Sequence, residues 1–162
     1  LAMCYYEMIE DEKRDIGPLL KAKNQFNFIL TNYPNTDFAL DSKFKLDFIE
    51  DVLASKEMYL GRHYQKKNKW IAAINRFRTV VEDYEKTIFI EEALHRLVEI
   101  NYKIGLKEES QKYANLLGYN YGSSDWYKKS YKVFNKNYKE NTPKKIKDKK
   151  KGVIKKFQNL FD

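Results

Sequence analysis

Apolar residues recur three and four apart along most of this chain, and the polar or helix-breaking residues between them cut it into helices. Residues 1–10 read as the end of a helix with Tyr5, Met8 and Ile9 on one face, and the charged DEKRD that follows as its exposed last turn or a loop. Pro18 suits the first turn of a second helix carrying Ala22, Phe26, Ile29, Leu30 and Tyr33, which Pro34 ends. Asn35, Thr36 and Asp37 then offer caps for one long helix over 38–67, with Ala39, Ser42, Leu46, Ile49, Leu53, Leu60 and Tyr64 on its apolar face. Such a helix is about 45 Å long.

Beyond the polar QKKNK the pattern restarts as Trp70, Ala73, Ile74, Phe77, Val80, Val81 and Tyr84. A connection at 85–88 leads to a helix over 91–104, with Ala93, Leu94, Leu97, Val98, Asn101 and Tyr102, stopped by Gly105. A shorter helix over 107–117 carries Tyr113, Ala114 and Leu117; GYNYGSSDWY reads as a loop, and a last helix runs over 126–138. With three Pro and six Gly in 162 residues, the pattern predicts an all-α fold.

The helices repeat. Gly61, Tyr64, Ala73, Phe77 and Tyr84 match the small and large positions of a tetratricopeptide repeat. Ala22, Phe26, Tyr33 and Thr36 return as Ala73, Phe77, Tyr84 and Thr87, and again as Ser110, Ala114, Tyr121 and Ser124. A helix pair cannot bury its apolar face alone, so stacked antiparallel pairs form a solenoid whose concave face is left for binding. The expected division is a helical-repeat domain over 1–138 and a basic tail over 139–162.

Charge sharpens that division. The net charge is +8, yet residues 128–162 hold 13 Lys against three acids, a balance of +10. The remaining 18 basic and 20 acidic residues leave 1–127 at −2. The excess therefore belongs to the tail and says little about the main body. After the lysine run TPKKIKDKKKG, Val153, Ile154, Phe157, Leu160 and Phe161 fall on one face of a short amphipathic helix, with Lys155 and Lys156 opposite. That segment suits an anionic membrane surface or a groove on a partner.

Chemistry-bearing motifs are sparse. Glu92 and His95 form an ExxH, the spacing used in di-iron bundles, but no second pair accompanies it, and His63 has no partner at ligand spacing. There is no CxxC, HExxH or glycine-rich phosphate motif. No catalytic, cofactor or metal site is expected, and the chain reads as a non-enzymatic scaffold. LAMC resembles a bacterial lipobox, but Met3 is too large for the position before a modified Cys, so Cys4 is expected to be a buried thiol on a helix face. A single cysteine excludes an internal disulfide. Nucleic-acid binding through the tail is the weaker alternative, because that tail has no Arg and no recognition motif precedes it.

The segments YYEMIEDEKRD, YPNT and FALDS, KEMYLGRHYQKKNKWIAAINRF, EEALHRLVEINYKIGL and LGYNYGSSDWY together resemble the BamD (ComL) family, helical-repeat lipoproteins of the outer-membrane barrel assembly machinery. The resemblance covers about residues 2–131. It implies a protein on the periplasmic side of the outer membrane, lipid-anchored in its full-length form. It also implies binding to the POTRA domains of the barrel-forming subunit, to other assembly lipoproteins and to unfolded outer-membrane proteins. The signal peptide, the lipidation site and roughly two N-terminal repeats of such proteins are expected to lie outside this sequence. Arg76, in INRF, matches the family position that contacts an acidic POTRA residue, and a guanidinium holds carboxylates bidentately. Arg62, Lys67 and Trp70 flank the same turn; Trp70 also suits the repeat core, and Arg76 an ordinary exposed helix position. A generic repeat adaptor for another partner is the remaining alternative.

Overall fold

In the computed structural model, residues 1–8 and 16–135 are described. Ile9, the DEKRD segment, residues 136–138 and the whole tail, with Lys155, Lys156, Phe157, Leu160 and Phe161, lie outside the described residues. The described part folds as α1 (Ala2–Glu7), α2 (Gly17–Asn32), α3 (Asp37–Lys66), α4 (Trp70–Asp83), α5 (Ile90–Lys103), α6 (Lys107–Tyr121) and α7 (Asp125–Phe134). Each helix packs on the next, and α5 also touches α7, the connectivity of an all-helical solenoid of antiparallel pairs.

The repeated residues do repeated work. Ala22, Ala73 and Ser110 are fully buried where the second helix of each pair crosses its neighbours. The Thr36 and Thr87 hydroxyls donate to the carbonyls of Tyr33 and Tyr84, both at 2.8 Å, turning the chain from one pair into the next. The Thr36 and Ser124 side chains then accept from the amides of Ala39 and Tyr127, capping α3 and α7. Helix ends inside the pairs are equally regular. After α3, Asn68 adopts φ 57° while the amides of Asn68 and Lys69 bond back to Gln65 and Tyr64; after α5, Gly105 at φ 89° does the same with Tyr102 and Asn101. Both are the left-handed termination that satisfies the last helical carbonyls.

Two apolar clusters result. Ala2, Leu19, Ala22, Phe26, Leu46, Ile49 and Leu53 form one. The larger is built on Ala54, Met58, Phe77, Leu94, Leu97 and Leu117, with Tyr84 packed against both. The long α3 therefore serves both cores, Leu53 belonging to one and Ala54 to the other. Where α3 meets α4, a Cβ on Gly61 would stand 2.6 Å from the Phe77 ring, so the glycine sets how closely these helices approach.

Three expectations are corrected. α1 ends at Glu7, the Met8 amide bonds to the Tyr5 carbonyl, and the Met8 side chain is exposed. Cys4 is exposed, because Ala2, Tyr5 and Tyr6 take the inward face of α1. α6 runs four residues past Leu117 to Tyr121, so the loop expected at GYNYGSSDWY shrinks to residues 122–124. Among the described residues no helix is long and apolar enough to cross a membrane.

Candidate partner-binding surface

Arg76 lies on α4 and reaches across to α3, where its Nη1 donates to both oxygens of Glu57 at 3.3 and 3.1 Å. Glu57 is the more buried partner, with 18% of its side chain exposed against 42% for Arg76. The pair fixes the guanidinium at the α3–α4 seam, while Nε and Nη2 make no bond among the described residues. A planar donor held this way suits a second carboxylate arriving from solvent.

Arg62 sits five residues after Glu57, about 140° around the same helix, and so faces α5 instead. Its Nε and Nη2 donate to the two oxygens of Glu92 at 3.0 and 2.6 Å. Arg96, one turn along α5, also donates to Glu92 at 3.3 Å and to Glu99 at 2.8 Å. Burial would raise both carboxyl groups, but the hydrogen bonds and charges beside them outweigh it. Arg62 and Arg96 hold Glu92 below its usual value, and His95 with Arg96 hold Glu99 down to about 2. Both acids are therefore ionised at neutral pH.

Arg62, Arg96 and Glu99 line a groove of about 630 Å³ between the end of α3, α5 and α7. Val133 supplies apolar surface, Trp70 forms one wall, and Lys66, Arg96 and Lys103 bring positive charge. The Lys103 ammonium lies 4.4 Å from the centre of the Trp70 ring. Trp70 packs against the larger core and also lines the groove.

His95 and Glu92 do not act together as an ExxH ligand pair. His95 turns inward, its Nδ1 2.8 Å from the Ser130 hydroxyl of α7 and its Nε2 3.5 Å from Glu99. Serine, imidazole and carboxylate are in the order of a nucleophilic triad, yet Ser130 is fully buried and His95 is 4% exposed, so no substrate can approach. The set ties α7 to α5 instead, with the Trp126 ring tilted 37° to the imidazole at 5.2 Å. Among the described residues no group of three or more His, Cys, Asp or Glu is placed to hold a metal.

Of the residues singled out in sequence, Arg62 and Trp70 share the groove, Arg76 occupies the separate α3–α4 seam, and Lys67 is an exposed cap residue beyond α3. Lys66, one turn from Arg62, lines the groove in its place. Sequence reasoning missed Lys66, Arg96, Glu99 and Lys103. A signal was present: Glu92, Arg96, Glu99 and Lys103 are spaced four, three and four apart, a charged stripe along a helix whose other face is mostly apolar.

With this geometry established, comparison with known proteins is informative. The family model described as YfiO, outer membrane lipoprotein, matches residues 1–116. The outer membrane protein assembly factor BamD of Rickettsia prowazekii (strain Madrid E) is 44% identical over 137 residues, 85% of this chain and 54% of the relative. Its counterpart in Caulobacter vibrioides is 41% identical over 136 residues, 84% of this chain and 45% of the relative. That of Xylella fastidiosa (strain 9a5c) is 28% identical over 116 residues, 72% and 40% respectively. The chain spans about half the length of the curated relatives it matches.

Proposed function

Since this chain belongs to the YfiO family of outer membrane lipoproteins, we propose that it is a scaffold subunit of outer-membrane protein assembly, acting at the periplasmic side of that membrane. Its work is to bind other proteins, and the continuous match to two assembly-factor relatives over most of the chain is the observation that carries this reading. Its partners are the POTRA domains of the barrel-forming subunit, other assembly lipoproteins and unfolded outer-membrane proteins, with a lipid anchor supplied in the full-length protein.

Arg76 is the proposed POTRA contact. Its pair with Glu57 restrains the side chain before docking, so less rotamer freedom is lost when a partner carboxylate arrives. Pull-down of the POTRA-bearing partner with Arg76→Glu tests this assignment. Lost capture with unchanged helical circular dichroism supports it, and undiminished capture rejects it. The tail is proposed to rest on an anionic membrane surface through Lys155, Lys156, Phe157, Leu160 and Phe161, each nearby Lys contributing about 1 kcal/mol. Co-sedimentation with phosphatidylglycerol vesicles that survives deletion of residues 152–162 rules out that contact.

A further inference from the structure

We propose that the groove between α3, α5 and α7 is a second docking surface, separate from the Arg76 seam, and that it takes an extended acidic segment of a partner protein. The inference rests on reading the chain as a protein-binding scaffold and adds what this particular surface recognises.

Charge is the first argument. Arg62, Lys66, Arg96 and Lys103 line the groove. Against these four cations stand Glu99 in the lining and Glu92 beneath Arg62, both ionised, an excess of two positive charges. The C-terminal ends of α3 and α5 contribute about half a negative charge each, which reduces the excess without cancelling it. The surplus stands on a body, residues 1–127, whose own balance is −2, so it is local to this surface.

The division of labour among the cations is the second argument. Both arginines are tied into the Glu92 and Glu99 network and hold the shape of the groove. Lys66 and Lys103 have no carboxylate partner among the described residues, and both are exposed. They stand on different helices beside apolar surface from Trp70 and Val133. Two exposed ammonium groups from different helices, one of them against the Trp70 ring, match a peptide with several carboxylates beside an aromatic or aliphatic side chain.

The probe is a fluorescein-labelled ten-residue peptide of alternating Asp and Glu around one central Phe, read by anisotropy with the full chain. A peptide of the same design with Lys for the acids is the control. The acidic peptide alone is expected to bind, and Lys66→Glu with Lys103→Glu to weaken it about tenfold or more, while Arg76→Glu leaves it unchanged. Should the doubly reversed chain lose helical signal, Lys66→Ala with Lys103→Ala serves in its place. Equal binding by the lysine-substituted chain assigns the peptide to the lysine-rich tail and overturns the proposal. So does displacement of the peptide by an RNA oligonucleotide or by phosphatidylglycerol vesicles at lower concentrations than by unlabelled peptide. Loss of POTRA capture on Arg76→Glu alongside absent peptide binding rejects the groove and leaves the scaffold reading standing.

Discussion

Arg62 and Glu92 lie thirty residues apart and meet through two parallel hydrogen bonds, joining α3 to α5. Arg62→Met leaves the Glu92 carboxylate with Arg96 alone, in a site where 14% of its side chain is exposed. A loss of about 1–3 kcal/mol in urea unfolding is expected. Arg62→Lys should recover only part of it, since an ammonium cannot bridge both oxygens. Adding Glu92→Met to Arg62→Met should restore stability relative to the single change.

Gly61 cannot carry a side chain without moving Phe77. Gly61→Ala is expected to destabilise by about 1–3 kcal/mol, although alanine is the better helix former. Combining it with Phe77→Leu should be less damaging than the sum of the two, because both act on the same gap. A thermal-melt double-mutant cycle measures the coupling, and strict additivity would contradict the close approach.

Glu99 sets part of the acid sensitivity. Its folded value of about 2 lies below the usual 4.5, so its ionised form stabilises the fold above about pH 4.5, and that contribution disappears as the pH falls toward 2. Glu99→Gln should therefore be less stable than the parent at pH 7 and show a shallower decline between pH 5 and pH 2. Parallel curves in denaturant titrations across that range would show that Glu99 is not the group responsible.

Ser130→Ala removes the hydroxyl that meets His95 Nδ1 in a buried site. An unsatisfied buried ring nitrogen costs about 1–3 kcal/mol, borne mainly by the α5–α7 contact. Amide exchange in α7 should accelerate while that of the α2–α3 pair stays as it was.

Much of the fold was legible because it follows from local pattern. The long third helix, expected over 38–67, is Asp37–Lys66, since its apolar spacing is unbroken and Thr36 caps it. Gly118 misled. It opens the stretch that reads as a loop, yet it sits inside α6, where a Cβ would meet the Tyr127 ring at 2.7 Å. It is small to admit α7, and a close approach between distant helices has no local signature. The same limit hid the polar contacts. Arg76–Glu57 and Arg62–Glu92 span 19 and 30 residues, so sequence could nominate the arginines but not separate them into a seam and a groove. Cys4 and Met8 depart from expectation because a helix of six residues is too short for its pattern to fix which face turns inward.

The thirty-residue α3 has a mechanical consequence. Its first half is bedded in the core of α1 and α2, its second half in that of α4 and α5, and its end carries Arg62 and Lys66 into the groove. A force applied at α1 has a rigid lever about 45 Å long through which to reach the groove. Tyr84, packed against both cores, links the two halves along its length.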